Sequence, residues 1–163
     1  MHIFIKNKKL IIDNYKVKCA IGKRGIKTKK KEGDLATPRG KFKINYILYR
    51  KDRIFKLSSK IKKTVIRKNM GWCDDPRSKQ YNKPIKFPFN KSAEKLYRKD
   101  NTYDIILVLN YNLNPTYKNK GSAIFLHISK KNYKSTEGCI AVKKSDLKII
   151  IKKINKKSVV NII

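Results

Sequence analysis

Ile105-Ile-Leu-Val-Leu109 is an unbroken apolar run in a chain of 163 residues whose formal net charge is +32. A strand with no polar position has no face to give to water, so it must be covered on both sides. The rest of the chain therefore has to supply two apolar layers. Residues 2–6, 9–12, 15–21, 40–49 and 104–111 carry β-branched and aromatic side chains between turn signals and read as strands. So do 123–128, 139–142 and the terminal stretch 159–163. Helical signals are few. Residues 91–97 read as one short helix. Ser145 and Asp146 read as the cap of a second, running to about Ile154 with Leu147, Ile150, Ile151 and Ile154 on one face. The expectation is a mainly β domain with one or two short helices.

A chain of this length buries roughly two-thirds of its unfolded surface in one core. Gly, Pro and Asn are scattered as turn punctuation and no stretch reads as a linker, so residues 1–163 are expected to form a single domain. The only low-complexity stretches are local lysine runs such as 29–31. Gly22-Lys-Arg-Gly25 lacks the glycine spacing of a phosphate loop and reads as a turn.

The charge has two readings. Clustered Lys and Arg steer proteins toward nucleic acids and other polyanions. Coding bias gives the same excess, because Lys, Asn, Ile and Tyr are abundant together. Only 7 of the 43 basic residues are arginine, the residue that nucleic-acid readers favour for bidentate contacts, which tips the balance to coding bias. Either way, weak associations of this surface will be salt-sensitive.

Chemistry concentrates in one stretch. Ile124-Phe-Leu-His127 ends in one of only two histidines, and Thr136-Glu-Gly-Cys139 follows after a short polar loop. Two consecutive strands joined by a loop bring a histidine and a thiol together, and a histidine within hydrogen-bond reach can take the thiol proton. Gly138 lets a substrate approach the backbone, and the N–H groups of Gly138 and Cys139 are placed to face a developing oxyanion. The simpler alternative is that such a cysteine is packing material. Of the other thiols, Cys19 lies in an alternating apolar stretch and reads as core. Cys73 sits beside Asp74 and Asp75, which makes it the weaker nucleophile candidate. Three cysteines leave at least one without an intramolecular disulfide partner, and no Cys/His cluster has zinc spacing. Asp74, Asp75, Asp100 and Asp104 match no calcium loop and read as turn caps and partners of nearby lysines.

The histidine, variable loop and Thr-x-Gly-Cys segment resembles the active-site motif of the L,D-transpeptidase (YkuD-type) catalytic domain family. Ala36-Thr-Pro-Arg-Gly-Lys-Phe42 is similar to that family's Thr-Pro-x-Gly-x-Phe segment. Gly71-Trp-Cys-Asp-Asp-Pro76, Tyr81-Asn82, Leu96-Tyr-Arg-Lys-Asp100, Tyr103-Asp104 and Gly121-Ser-Ala-Ile-Phe-Leu-His127 resemble a stand-alone, single-domain bacterial branch. The likeness runs from about Gly22 to Leu147. It implies a mixed β-sandwich, with Cys139 as acyl-accepting nucleophile, His127 as its base, and the backbone carbonyl of Ile128 orienting the imidazole. The substrate it implies is a peptidoglycan stem peptide or precursor, cut across an L,D peptide bond. The acyl-enzyme then passes to an amine, or to water if the protein acts as an L,D-carboxypeptidase. No cofactor or metal is implied. Two positions depart from the widespread motif: Glu137 stands where histidine is usual, and Ala141 where an arginine assists the site. Thr136 and Glu137 are candidates for substrate contact, as is Tyr133 in the loop. Trp72 and Tyr81 either line a peptide cleft or are ordinary half-buried aromatics.

A non-enzymatic module that binds polyanions is the rival reading. The segment Met1-His-Ile-Phe-Ile-Lys-Asn-Lys-Lys-Leu10 has no apolar signal core, and no run approaches the roughly 20 residues that span a membrane, so a cytoplasmic location is expected.

Overall fold

The Ile105–Leu109 run is a central strand with every residue buried. A computed structural model describes residues 1–28 and 31–163; Lys29 and Lys30 of the lysine run lie outside the described residues. The strands are β1 (His2–Lys6), β2 (Lys9–Ile12), β3 (Tyr15–Lys18), β4 (Ile26–Lys27), β5 (Thr37–Pro38), β6 (Gly40–Tyr49), β7 (Lys63–Val65), β8 (Met70–Cys73), β9 (Pro84–Lys86), β10 (Ala93–Lys95), β11 (Ile105–Leu109), β12 (Phe125–Ile128), β13 (Ile140–Val142) and β14 (Val159–Ile162), with one helix, α1 (Lys144–Lys153). Nine strands form a mixed sheet in the order β13-β12-β11-β6-β14-β1-β2-β3, with β7 beside β6. A three-stranded sheet runs β10-β8-β9. The domain is mainly β, as the sequence led us to expect.

Strand periodicity sorts the central sheet into two cores. Alternate residues of a strand face opposite ways. Leu107 pairs with Ile47 and Leu126, Leu126 pairs with Ile140, and all four join one cluster with Leu147, Ile150 and Ile151 of α1. Their neighbours Ile106, Val108, Leu48 and Phe125 face the other way. They pack with Trp72 of β8 and with Leu96, just beyond β10. Thus α1 covers one face and the three-stranded sheet the other. Each fully buried aliphatic or aromatic side chain contributes about 1.5–3 kcal/mol. Strand β1, between β14 and β2, alternates exposed and buried residues, in keeping with a single covered face.

Three sequence expectations change. Residues 91–97 form no helix; β10 pairs antiparallel with β8, Glu94 opposite Trp72. A helix this short is marginal by itself, and pairing overrides the helical propensity of Ala, Glu, Lys and Leu. The expected cap of α1 is also displaced. Lys143 occupies the N-cap without a side-chain bond, and Ser145 and Asp146 lie within the helix. The Asp146 carboxylate instead accepts the Tyr15 phenol at 2.9 Å. Finally, the 15–21 stretch divides. Residues 15–18 pair with β2, while Ala20 bridges to Ala141, its N–H donating to the Ala141 carbonyl at 2.7 Å. That bridge brings the two ends of the strand order together beside the Cys139 loop. Among the described residues, no helix is long and apolar enough to cross a membrane.

Candidate active site

β12 and β13 run parallel, with His127 opposite Ala141 and Leu126 opposite Ile140. Cys139 immediately precedes β13. Two residues from Ala141, it shares Ala141's face and stands diagonally across from His127. The Phe125 N–H approaches its Sγ at 3.4 Å, and the thiol donates to the Ala123 carbonyl at 3.1 Å. His127 and Cys139 both line a cavity of about 500 Å³, with Trp72, Glu94, Arg98 and Tyr103 among its walls. Ala141 also lines it, its methyl leaving space beside the imidazole.

The His127 ring is buried, and its Nδ1 lies 2.9 Å from the Ile128 carbonyl oxygen. A carbonyl only accepts, so Nδ1 carries the proton and Nε2 presents a lone pair. Burial is the main cause that lowers the imidazole pKa to about 4, with Arg98 and Lys130 adding to it; the Ile128 hydrogen bond and Asp100 oppose it. The ring is therefore neutral at neutral pH. An imidazole of this kind does not hold the thiol proton at rest, and the thiol donates to Ala123 instead. Proton transfer belongs to the moment of attack.

The loop before Cys139 is fixed by side chains from distant segments. The buried Thr37 hydroxyl accepts the Gly22 N–H at 2.8 Å and donates to the Gly138 carbonyl at 2.9 Å. Gly138 has φ +150°, and a Cβ there would come within 3.0 Å of the Ala36 carbonyl oxygen, so only glycine fits without strain. Gly22 is equally confined: its Cβ would lie 2.5 Å from the Leu35 carbonyl oxygen. The segment from Gly22 to Gly25 closes a turn, as expected, with Gly25 N–H on the Gly22 carbonyl. Thr136 donates its hydroxyl to the Cys139 carbonyl at 2.5 Å and accepts the Gly138 N–H at 3.2 Å. The Gly138 amide, expected to face an oxyanion, is thus turned into its own loop.

The remaining expectations divide. Thr136, Glu137 and Trp72 line the cavity. Trp72 is also core: its indole donates to Asn82 and its ring meets Phe125 edge-on at 5.2 Å. Tyr133 is not among the lining residues. It ends a 3-10 turn with a positive φ of 53°, and the Lys18 ammonium lies 5.1 Å from its ring centre. Tyr81 is buried and does not line the cavity itself; its phenol donates to Glu32, which does, and accepts the Gly121 N–H. Cys19 and Cys73 are buried, and burial pushes the Cys19 thiol up to about 12. Three of the four aspartates pair mainly with arginine rather than lysine. Asp75 binds Arg77, Asp100 binds Arg98, and Asp104 binds Arg53 and Lys144. Asp75 and Asp100 also cap turns, accepting the N–H of Arg77 and of Thr102. Asp74 lines the cavity, and its buried Oδ1 has no hydrogen-bond partner among the described residues.

Four residues acquire places that local sequence did not assign. Thr37 latches the loop. Glu94, Arg98 and Tyr103 form one wall of the cavity. Burial raises the Glu94 carboxyl, Asp74 and Glu137 add to that, and Tyr103 and Arg98 oppose it. The Tyr103 phenol donates to Glu94 at 2.7 Å, and burial pushes its pKa well above the usual phenol value. Only the quoted resemblance segments flagged Thr37, Arg98 and Tyr103, and they did so without a role.

Across residues 1–162 the sequence matches the family model of the L,D-transpeptidase catalytic domain, YkuD, and the chain belongs to that family. None of the curated proteins matches it.

Proposed function

We propose that this member of the L,D-transpeptidase family transfers acyl groups from peptidoglycan stem peptides through a thioester on Cys139. The family acts on such peptides. The observation that carries the reading is the shared cavity of the Cys139 thiol and a neutral His127 whose Nε2 lone pair is available. Nε2 takes the thiol proton as Sγ bonds to the carbonyl carbon across the L,D bond. As the tetrahedral intermediate collapses, the C–N bond breaks and the same proton goes to the departing D-alanine amine. The incoming amine of a second stem then attacks the thioester, loses a proton to Nε2, and Sγ leaves to recover that proton. Of the two backbone amides that the sequence offers an oxyanion, that of Gly138 is engaged by the Thr136 hydroxyl.

The test is incubation of the protein with a tetrapeptide stem ending in D-alanine, with and without an acceptor stem. Release of D-alanine together with a cross-linked dimer, both absent from Cys139→Ala, is the expected result. D-alanine release without dimer makes water the acceptor. Release that persists in Cys139→Ala overturns the assignment.

A further inference from the structure

Tyr103 plays no part in the proton transfers above, yet its buried ring is held on every side. Its phenol donates to Glu94 Oε1 at 2.7 Å. The Arg98 guanidinium sits over its ring, 5.3 Å from the centre, and is itself fixed by Asp100 at 2.7 Å. Phe125 meets the ring edge-on at 6.1 Å. The fourth neighbour is His127, with ring centres 5.2 Å apart and planes at 82°. The backbone repeats the link: the Ile128 N–H donates to the Thr102 carbonyl at 3.2 Å. Tyr103 and His127 are therefore linked through both ring contact and backbone.

The imidazole needs such a wall. The hydrogen bond from Nδ1 to the Ile128 carbonyl fixes the tautomer but leaves the ring free to swing about that bond. An aromatic side chain packed edge-to-face removes that freedom and keeps water from the ring. We propose that Tyr103 is a positioning residue for the His127 imidazole, held in place by Glu94 and Arg98. The proposal rests on the acyl-transfer reading for its kinetic consequence. The geometric claim stands apart from that reading.

The physical consequence is specific. A base displaced by about 1 Å loses roughly a hundredfold in rate. Removing the ring also admits water beside an imidazole whose low pKa comes chiefly from burial. The charged groups facing that imidazole are Arg98, Lys130 and Asp100, and all three remain in a Tyr103 variant.

The experiment compares Tyr103→Leu, Tyr103→Phe, Glu94→Gln and Glu94→Ala in two measurements: the rate of Cys139 acylation by a carbapenem across pH, and the NMR titration of the His127 ring. Tyr103→Leu should slow acylation roughly a hundredfold. It should also move the His127 midpoint from about 4 toward the ordinary value of 6.5. Tyr103→Phe keeps the ring but loses the bond to Glu94 and should slow acylation about tenfold or less. Glu94→Gln keeps an acceptor for the phenol and should lose less than Glu94→Ala. An unchanged rate in Tyr103→Leu overturns the proposal. So does a slower rate with the His127 titration unmoved, since that marks a merely structural role. Should Tyr103→Leu fail to fold, the order of the Glu94 pair and Tyr103→Phe decides. Should the wild type take no acyl group, the acyl-transfer reading fails, and the NMR titration alone judges the positioning.

Discussion

The two faces of the central sheet are built from neighbouring residues and do opposite work. On one face Leu107, Leu126 and Ile140 meet the aliphatic side of α1, and the titratable group among the buried residues of that cluster is Cys19, which burial keeps protonated. On the other, Ile106, Val108 and Phe125 begin an equally apolar layer, but His127 and Cys139 continue it. There the smaller three-stranded sheet covers only part of the face, and the remainder is the cavity. A one-residue step along β12 thus separates a structural side chain, Leu126, from a candidate catalytic one, His127. The sealed face sets strand register. The open face uses that register to place an imidazole and a thiol that lie twelve positions apart in sequence.

The sharpest way to break this comparison is to remove one member from each face. On the open face, His127→Gln should lower the acylation rate by roughly 10²–10⁴-fold while leaving thermal unfolding nearly unchanged. On the sealed face, Leu107→Ala should do the reverse, costing about 2–5 kcal/mol in denaturant unfolding while the folded fraction acylates at the wild-type rate. If both variants fail in both measurements, the two faces are not separable.

A pH series sharpens the contrast further. The folded-state His127 pKa, about 4, lies below its ordinary 6.5. Below pH 6.5 the unfolded chain takes up a proton that the folded chain refuses, so stability falls as pH drops from 6.5 to about 4 and then levels. The loss from this group is at most about 3 kcal/mol. Denaturant unfolding at pH 7 and pH 4.5 should show this fall, and His127→Gln should remove the His127 share of it. An equal fall in that variant would assign the effect elsewhere.

The smallest expected effect concerns the latch. Thr37→Val leaves the buried Gly22 N–H and Gly138 carbonyl without a partner, a cost of about 1–3 kcal/mol, and Thr37→Ser should restore most of it. Slower acylation in Thr37→Val, recovered in Thr37→Ser, would tie loop geometry to the thiol.

What the sequence disclosed follows the same division. β11 was legible because a continuous apolar run admits only one environment. The placement of His127 and Cys139 in one cavity was legible because its signal is local: a strand end, a loop and a glycine. Residues 91–97 misled because the strand pairing of Glu94 with Trp72 is a tertiary event that helix propensity does not register. For Tyr133, a place in the loop says nothing of where the ring lies, which is beside the Lys18 ammonium. Thr37 reaches Gly138 across a separation of 101 residues. No spacing rule spans that distance, and none joins Tyr103 to both Glu94 and His127.

The central claim is that Cys139, rather than Cys19 or Cys73, is the acyl-accepting thiol. Intact mass after exposure to a carbapenem, followed by digestion to place the adduct, tests it most directly. A single adduct on Cys139, absent from Cys139→Ala, is the predicted result. An adduct on Cys73 or Cys19, or none on the folded protein, would contradict it.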